Sequence, residues 1–118
     1  MLSSLAPGLP SPPGLEKPQD AFSWSVLVLF YLASAYLEET YFRIYLEAAL
    51  QKAKWASPAR LLLSTGLFTL CHLYQGPLGL CNALIAGIFL LLFYRKTQSP
   101  HGLALGHGLY NVLAYVLQ

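Results

Sequence analysis

Three apolar stretches without a single Asp, Glu, Lys or Arg divide this chain: residues 21–37, the run between Arg60 and Arg95, and Thr97 to the C-terminus. A helix crossing a bilayer core needs about 20 mostly apolar residues. Gln75-Gly76-Pro77 interrupts the long central run, which therefore reads as two helices joined by a tight turn. The first run does not stop at Leu37. Tyr41, Phe42, Ile44, Tyr45, Leu46, Ala48, Ala49 and Leu50 continue it, and predict one helix over 21–51. Such a helix is about 45 Å long, enough to tilt across a membrane and protrude. Ser57-Pro58 and Ser99-Pro100 are helix-start signals, with proline where a free N–H is not needed. The remaining rods are predicted over 58–74, 78–95 and 100–117. The fold class expected is all-α: a multi-pass transmembrane bundle of about four helices.

Composition strengthens this reading. The 118 residues are 56% hydrophobic and 10% charged, against about 25% charged in soluble chains. A buried soluble helical core is the less economical alternative. Residues 1–20 hold five of the eight prolines and read as an irregular Pro/Gly/Ser-rich tail. They lack the basic segment and unbroken apolar core of a signal peptide. Residues 21–118 form the membrane-embedded domain. Lys52, Lys54 and Arg60 fall between the first two rods, and Arg95 and Lys96 between the last two. By the positive-inside rule these two loops are cytoplasmic and both termini face the other side. The net charge of +2 is small and dispersed, with no basic run interleaved with aromatics, so nucleic acid is excluded as a partner. Cys71 and Cys81 form no CxxC pair and are expected to be small packing residues.

Against this background a few polar residues stand out. Glu38 and Glu39 end the first charge-free run, and later runs bring in His72, His107 and Asn111. A charged group at bilayer depth costs roughly 2.5–3.5 kcal/mol, so each such residue is a functional candidate. Counted from the nearest basic residue, Glu38, His72 and His107 lie about 21, 18 and 17 Å into the membrane. Three rods thus bring polar groups to one level, and Asn111 follows His107 by one turn on the same face. Glu39, Arg43 and Glu47 at i, i+4 and i+8 predict a ladder in which both acids pair with Arg43. Glu38 points roughly 100° away from that ladder, so its partner must come from another helix, a histidine being the obvious one. Phe68 shares a face with His72 and is placed to shield it. His101, at the membrane edge, reads as a surface residue. Gly102, Gly106 and Gly108 allow close approach of a neighbour or a substrate. No Ser-His-Asp order, phosphate-cradling loop or HExxH motif is present.

The pattern resembles the CPBP family of intramembrane proteases, which includes CAAX prenyl endopeptidases and bacteriocin-processing enzymes. The family motifs EExxxR, FxxxH and HxxxN are met, in order, by Glu38-Glu39 with Arg43, by Phe68 with His72, and by His107 with Asn111. The resemblance implies an integral membrane endopeptidase, in a bacterial cytoplasmic membrane, that cleaves near the C-terminus of a membrane-associated protein. It implies that Glu38 and His72 activate water, that His107 and Asn111 form the oxyanion site, and that Glu39, Arg43 and Phe68 support them. Glu38, His72 and His107 also compose a His2Glu zinc set with water as fourth ligand. The metal-free reading is favoured because Asn111 is better explained as an oxyanion donor. Partners expected are the substrate protein, the lipid bilayer and, through self-association, further copies of the chain. Family members usually carry extra membrane helices before the EExxxR helix, where this sequence has a Pro-rich tail. That difference bears on substrate recognition and prenyl preference. Two other classes stay open: a non-catalytic immunity or regulatory partner within the same family, and a small proton or ion pathway.

Overall fold

A computed structural model describes residues 17–117. The Pro-rich tail lies outside the described residues except for its last four positions. Four helical rods follow, and no strand occurs among the described residues. Helix α1 runs unbroken over Ala21–Lys52. It starts where the Asp20 carboxylate accepts from the Ser23 N–H at 2.7 Å and the Ser23 hydroxyl at 3.0 Å, a side-chain N-cap. Helix α2 covers Ser57–Leu70 with Pro58 in its first turn. A short 3₁₀ turn, Leu73–Gln75, leads into α3, Gly76–Thr97. Gly76 makes this sharp join with φ of +77°, a backbone state other residues adopt only under strain. Helix α4, Pro100–Val116, is capped by the Ser99 hydroxyl, which accepts from the Gly102 N–H at 3.1 Å.

Within α1 the segment Thr40–Tyr45 is wound as a π-helix. Its i→i+5 bonding changes the angular phase between residues before and after it, a device found at functional sites. The buried Ser64 hydroxyl of α2 donates to Phe42 O inside this segment at 2.9 Å, and the Phe42 and Phe68 rings meet edge to face at 5.5 Å. The two-sided ladder does not form. Arg43 pairs with Glu39 alone, at 3.2 Å. Past the π turn, Glu47 faces the basic end of the bundle instead. There it accepts from Arg95 Nε at 2.8 Å and Arg60 Nε at 3.2 Å. Arg95 also reaches the Ser57 hydroxyl at 2.9 Å, so one carboxylate fastens α1, α2 and α3 together.

Helix α1 packs along α4, and α2 along α3. The first pair is antiparallel: Lys17 donates to Val116 O at 3.2 Å, Trp24 meets Tyr115, and Tyr36 meets His101 at the other end of α4. Gly108 permits the close approach, since a Cβ there would lie 2.7 Å from Leu32 Cδ2. Gly106 faces open space and Gly102 only its own cap. Helices α3 and α4 touch sparingly, which leaves a cleft between them. The molecule measures 48 × 33 × 17 Å, roughly one and a half helix diameters of about 10–12 Å in its thin direction. Large apolar side chains such as Phe22, Leu29, Phe30, Ile85 and Phe89 are accordingly exposed. Of the four membrane helices expected, two are long and apolar enough to cross a membrane, Ala21–Lys52 and Leu73–Thr97. At 14 and 17 residues, α2 and α4 are shorter than such a span. Cys71 and Cys81 are exposed rather than packed inside.

Candidate active site

The centre of the site is a buried charge cluster on the π-helical side of α1. Arg43 is fully buried and Glu39 is 1% exposed. Two such ions are stable in an apolar interior only if every charge has a nearby counterpart. Glu39 Oε2 lies 3.2 Å from Arg43 Nε, an ion pair bent away from hydrogen-bond geometry. The guanidinium stacks over the Phe68 ring, 4.1 Å from its centre, and Nη2 reaches Gly87 O at 3.4 Å. A Cβ on Gly87 would stand 3.1 Å from the Phe68 ring and 3.5 Å from Arg43 Nη2, so this position admits the cluster by having none.

The other Glu39 oxygen serves α4. Oε1 and His107 Nδ1 are 2.5 Å apart, in a bond buried from solvent. A carboxylate only accepts, so Nδ1 carries a proton and the ring orientation is fixed. That leaves Nε2 directed toward Glu38, whose Oε2 is 3.8 Å away. Glu38 therefore finds its partner across helices in a histidine, and that histidine is His107. No hydrogen bond or ion pair joins Glu38 to His72 among the described residues. Glu38 Oε2 is buried and makes no hydrogen bond.

His72 lies outside the helix expected to contain it. Helix α2 ends at Leu70, and His72 sits in the turn before the 3₁₀ segment. The ending has a local cause: His72 Nδ1 bonds Phe68 O at 2.7 Å, replacing a backbone partner at the helix terminus. A carbonyl also only accepts, so Nδ1–H is the donor and the neutral ring keeps a free lone pair on Nε2. The His72 ring rests 4.5 Å from the centre of Phe68, and His107 lies 6.0 Å from the same ring. Phe68 is thus the shared wall of both imidazoles and of Arg43.

A cleft of about 490 Å³ opens between α3 and α4. Phe68, His72, His107 and Asn111 line it, together with Asn82 and Tyr110. Glu38 borders it only through His107. Phe89, Phe93, Leu90 and Gly106 extend the lining into an apolar trough. The second and third motifs therefore line one cavity, and the first, Glu38-Glu39 with Arg43, stands behind it against His107 and Phe68. Asn82 and Tyr110 escaped the sequence reading, although Asn82 is the one side-chain amide between Gly76 and Arg95. Among the described residues no three His, Cys, Asp or Glu side chains gather as a metal ion requires. His107 Nδ1 is held by Glu39, which leaves Nε2 as the nitrogen open to a ligand.

An all-helical chain with two helices long and apolar enough to cross a membrane defines a helical, membrane-type class of protein, and here two imidazoles line one cleft with two acids behind His107. Within that class, the family model described as Type II CAAX prenyl endopeptidase Rce1-like matches residues 20–113. The chain belongs to this family. No curated protein and no solved structure matches it.

Proposed function

We propose that this protein is a multi-pass membrane endopeptidase that hydrolyses a peptide bond near the C-terminus of a prenylated, membrane-associated protein. The observation that carries the reading is the convergence of both imidazoles and Arg43 on Phe68, with His107 flanked by Glu38 and Glu39. The cleft suits such a substrate, with polar groups near His72 and His107 and an apolar trough beyond them. The basic loops lie on the cytoplasmic side.

In this reading His72 Nε2 accepts from a water molecule and orients it. Glu38 takes one of its protons as the oxygen attacks the scissile carbonyl carbon. The carbonyl π pair moves onto oxygen, where His107 and the Asn111 amide donate to the oxyanion. His107 donates from Nε2 when that nitrogen is protonated, a state in which its other N–H still rests on Glu39. Collapse of the tetrahedral species breaks the C–N bond, and the amine leaves with the proton held by Glu38. Glu39 and Arg43 position His107 and stay chemically unchanged.

The test is cleavage of a farnesylated peptide by the purified, membrane-reconstituted chain, with and without chelator. Glu38→Gln, His72→Ala and His107→Ala are each expected to abolish turnover without preventing insertion. Asn111→Ala is expected to lower kcat by about 10²–10³. Full turnover by Glu38→Gln refutes the assignment of the base, and loss on chelation refutes the metal-free route. Biological rescue by a triple alanine variant would favour a non-catalytic partner. Proton flux in proteoliposomes without proteolysis would favour an ion pathway.

A further inference from the structure

Asn82 lies on α3 between Gly76 and Arg95, a stretch whose other side chains are apolar or small apart from the Tyr94 phenol. A side-chain amide in such a helix needs a polar partner, because an unsatisfied amide in hydrocarbon is costly. Part of that need is met across the cleft. The Tyr110 hydroxyl of α4 donates to Asn82 Oδ1 at 2.7 Å. In this arrangement the amide oxygen faces the phenol. The two Nδ2 N–H groups then have no partner among the described residues, and the Tyr110 oxygen keeps lone pairs to accept with. Both residues line the cleft that holds His72, His107 and Asn111.

We infer that Asn82 and Tyr110 form a clamp for the backbone of an extended peptide in the cleft. A peptide group carries one acceptor, C=O, and one donor, N–H. The pair offers the complement: amide N–H groups from Asn82 for the carbonyl, and the phenol oxygen of Tyr110 for the N–H. Side-chain identity of the peptide plays no part, so the clamp sets register rather than sequence preference. The clamp rests on the protease reading for its substrate class. Its contribution is to binding, and it touches neither Glu38 nor the attacking water.

The experiment measures binding of a fluorescein-labelled, farnesylated peptide to the full chain in nanodiscs, with Glu38→Gln present so that the probe stays intact. Companion probes replace one backbone N–H at a time by an ester oxygen near the C-terminus. Asn82→Ala is expected to weaken Kd about tenfold, the effect of one or two lost hydrogen bonds. One ester probe is expected to bind the Tyr110 chain more weakly than the amide probe, and to show no such difference with Tyr110→Phe, because Tyr110 is the acceptor for that N–H. If Asn82→Ala does not fold, the coupling between Tyr110→Phe and the ester decides alone. An unchanged Kd with a lowered melting temperature overturns the clamp and leaves a simple tie between helices. Independent, additive losses from Tyr110→Phe and the ester overturn it too, as does absence of probe binding. Cleavage by the chain with Glu38 intact is read separately. A probe that is bound but never hydrolysed removes the protease reading and leaves the clamp in place.

Discussion

Replacing Glu39 by glutamine separates the two duties of its carboxylate. The amide oxygen of the new side chain keeps an acceptor for His107 Nδ1, which lies 2.5 Å from Glu39 Oε1 in the native chain. What disappears is the charge opposite Arg43, which lies 3.2 Å away and is wholly buried. Removing one partner of a buried pair destabilises by about 3–5 kcal/mol, because the remaining ion is left without compensation. The Phe68 ring and Gly87 O recover only part of this, so Glu39→Gln is expected to lose several degrees of melting temperature. Removing the second charge as well should reverse most of that loss. Glu39→Gln with Arg43→Met leaves no buried ion, and apolar replacement of a buried pair is often neutral. Activity should not follow stability. A group that orients a histidine through its second nitrogen typically contributes about 10–100-fold, so both variants should cleave a farnesylated peptide at that reduced rate. Thermal unfolding in detergent and kcat/KM on one preparation decide the matter. A double variant no more stable than Glu39→Gln refutes the buried-charge account, and wild-type kcat/KM in Glu39→Gln refutes the orienting role of Glu39.

Three further outcomes follow from the geometry. Gly108→Ala should destabilise by about 1–3 kcal/mol, read as a lower melting temperature, because its Cβ would press on Leu32 Cδ2 at 2.7 Å and Leu32 Cα at 3.2 Å. Glu47→Gln should loosen α1, α2 and α3 together, since Arg60 and Arg95 both lean on that carboxylate; accelerated proteolysis of the Ala53–Ala56 loop region would register it. Asp20 is held below its ordinary value of 3.8 mainly by the Ser23 backbone N–H. A depressed carboxylate contributes stability that is present above its unfolded pKa and is lost as pH falls through the lower folded one. Helicity of the wild type should therefore weaken in strong acid, while Asp20→Asn, which caps without titrating, should lack that component by circular dichroism.

Much of this fold is written in local signals. Pro58 and Pro100 mark helix starts because each sits where its absent N–H is not required. Gly76-Pro77 marks the break because only glycine takes φ of +77° readily. The three motifs were legible as spacings; residues of the second and third line one cleft, while Glu38, Glu39 and Arg43 of the first stand behind His107 and Phe68. What escaped depends on contacts remote in sequence. Arg60 and Arg95 reach Glu47 across 13 and 48 positions, whereas Arg43 is four away, so nearness along α1 suggested the wrong partner. The π turn of six residues is too short to leave a periodic trace, yet it decides where Glu47 points. His72 drops out of its helix through a bond from its own ring to Phe68 O, which composition does not reveal. Asn82 was visible as a lone amide, but its meaning came only with Tyr110 across the gap.

The 17 Å thickness has a consequence for how substitutions distribute their effects. So thin a bundle has little interior, and most leucines, isoleucines and phenylalanines are not buried against the rest of the protein. Few positions are sealed from their surroundings, among them Glu39, Arg43, Ser64, Phe68, Leu91 and Leu103. A saturation scan of this chain should thus look sparse, with long tolerant stretches broken by isolated intolerant sites. Three of those six, Glu39, Arg43 and Phe68, belong to the motif spacings read from the sequence.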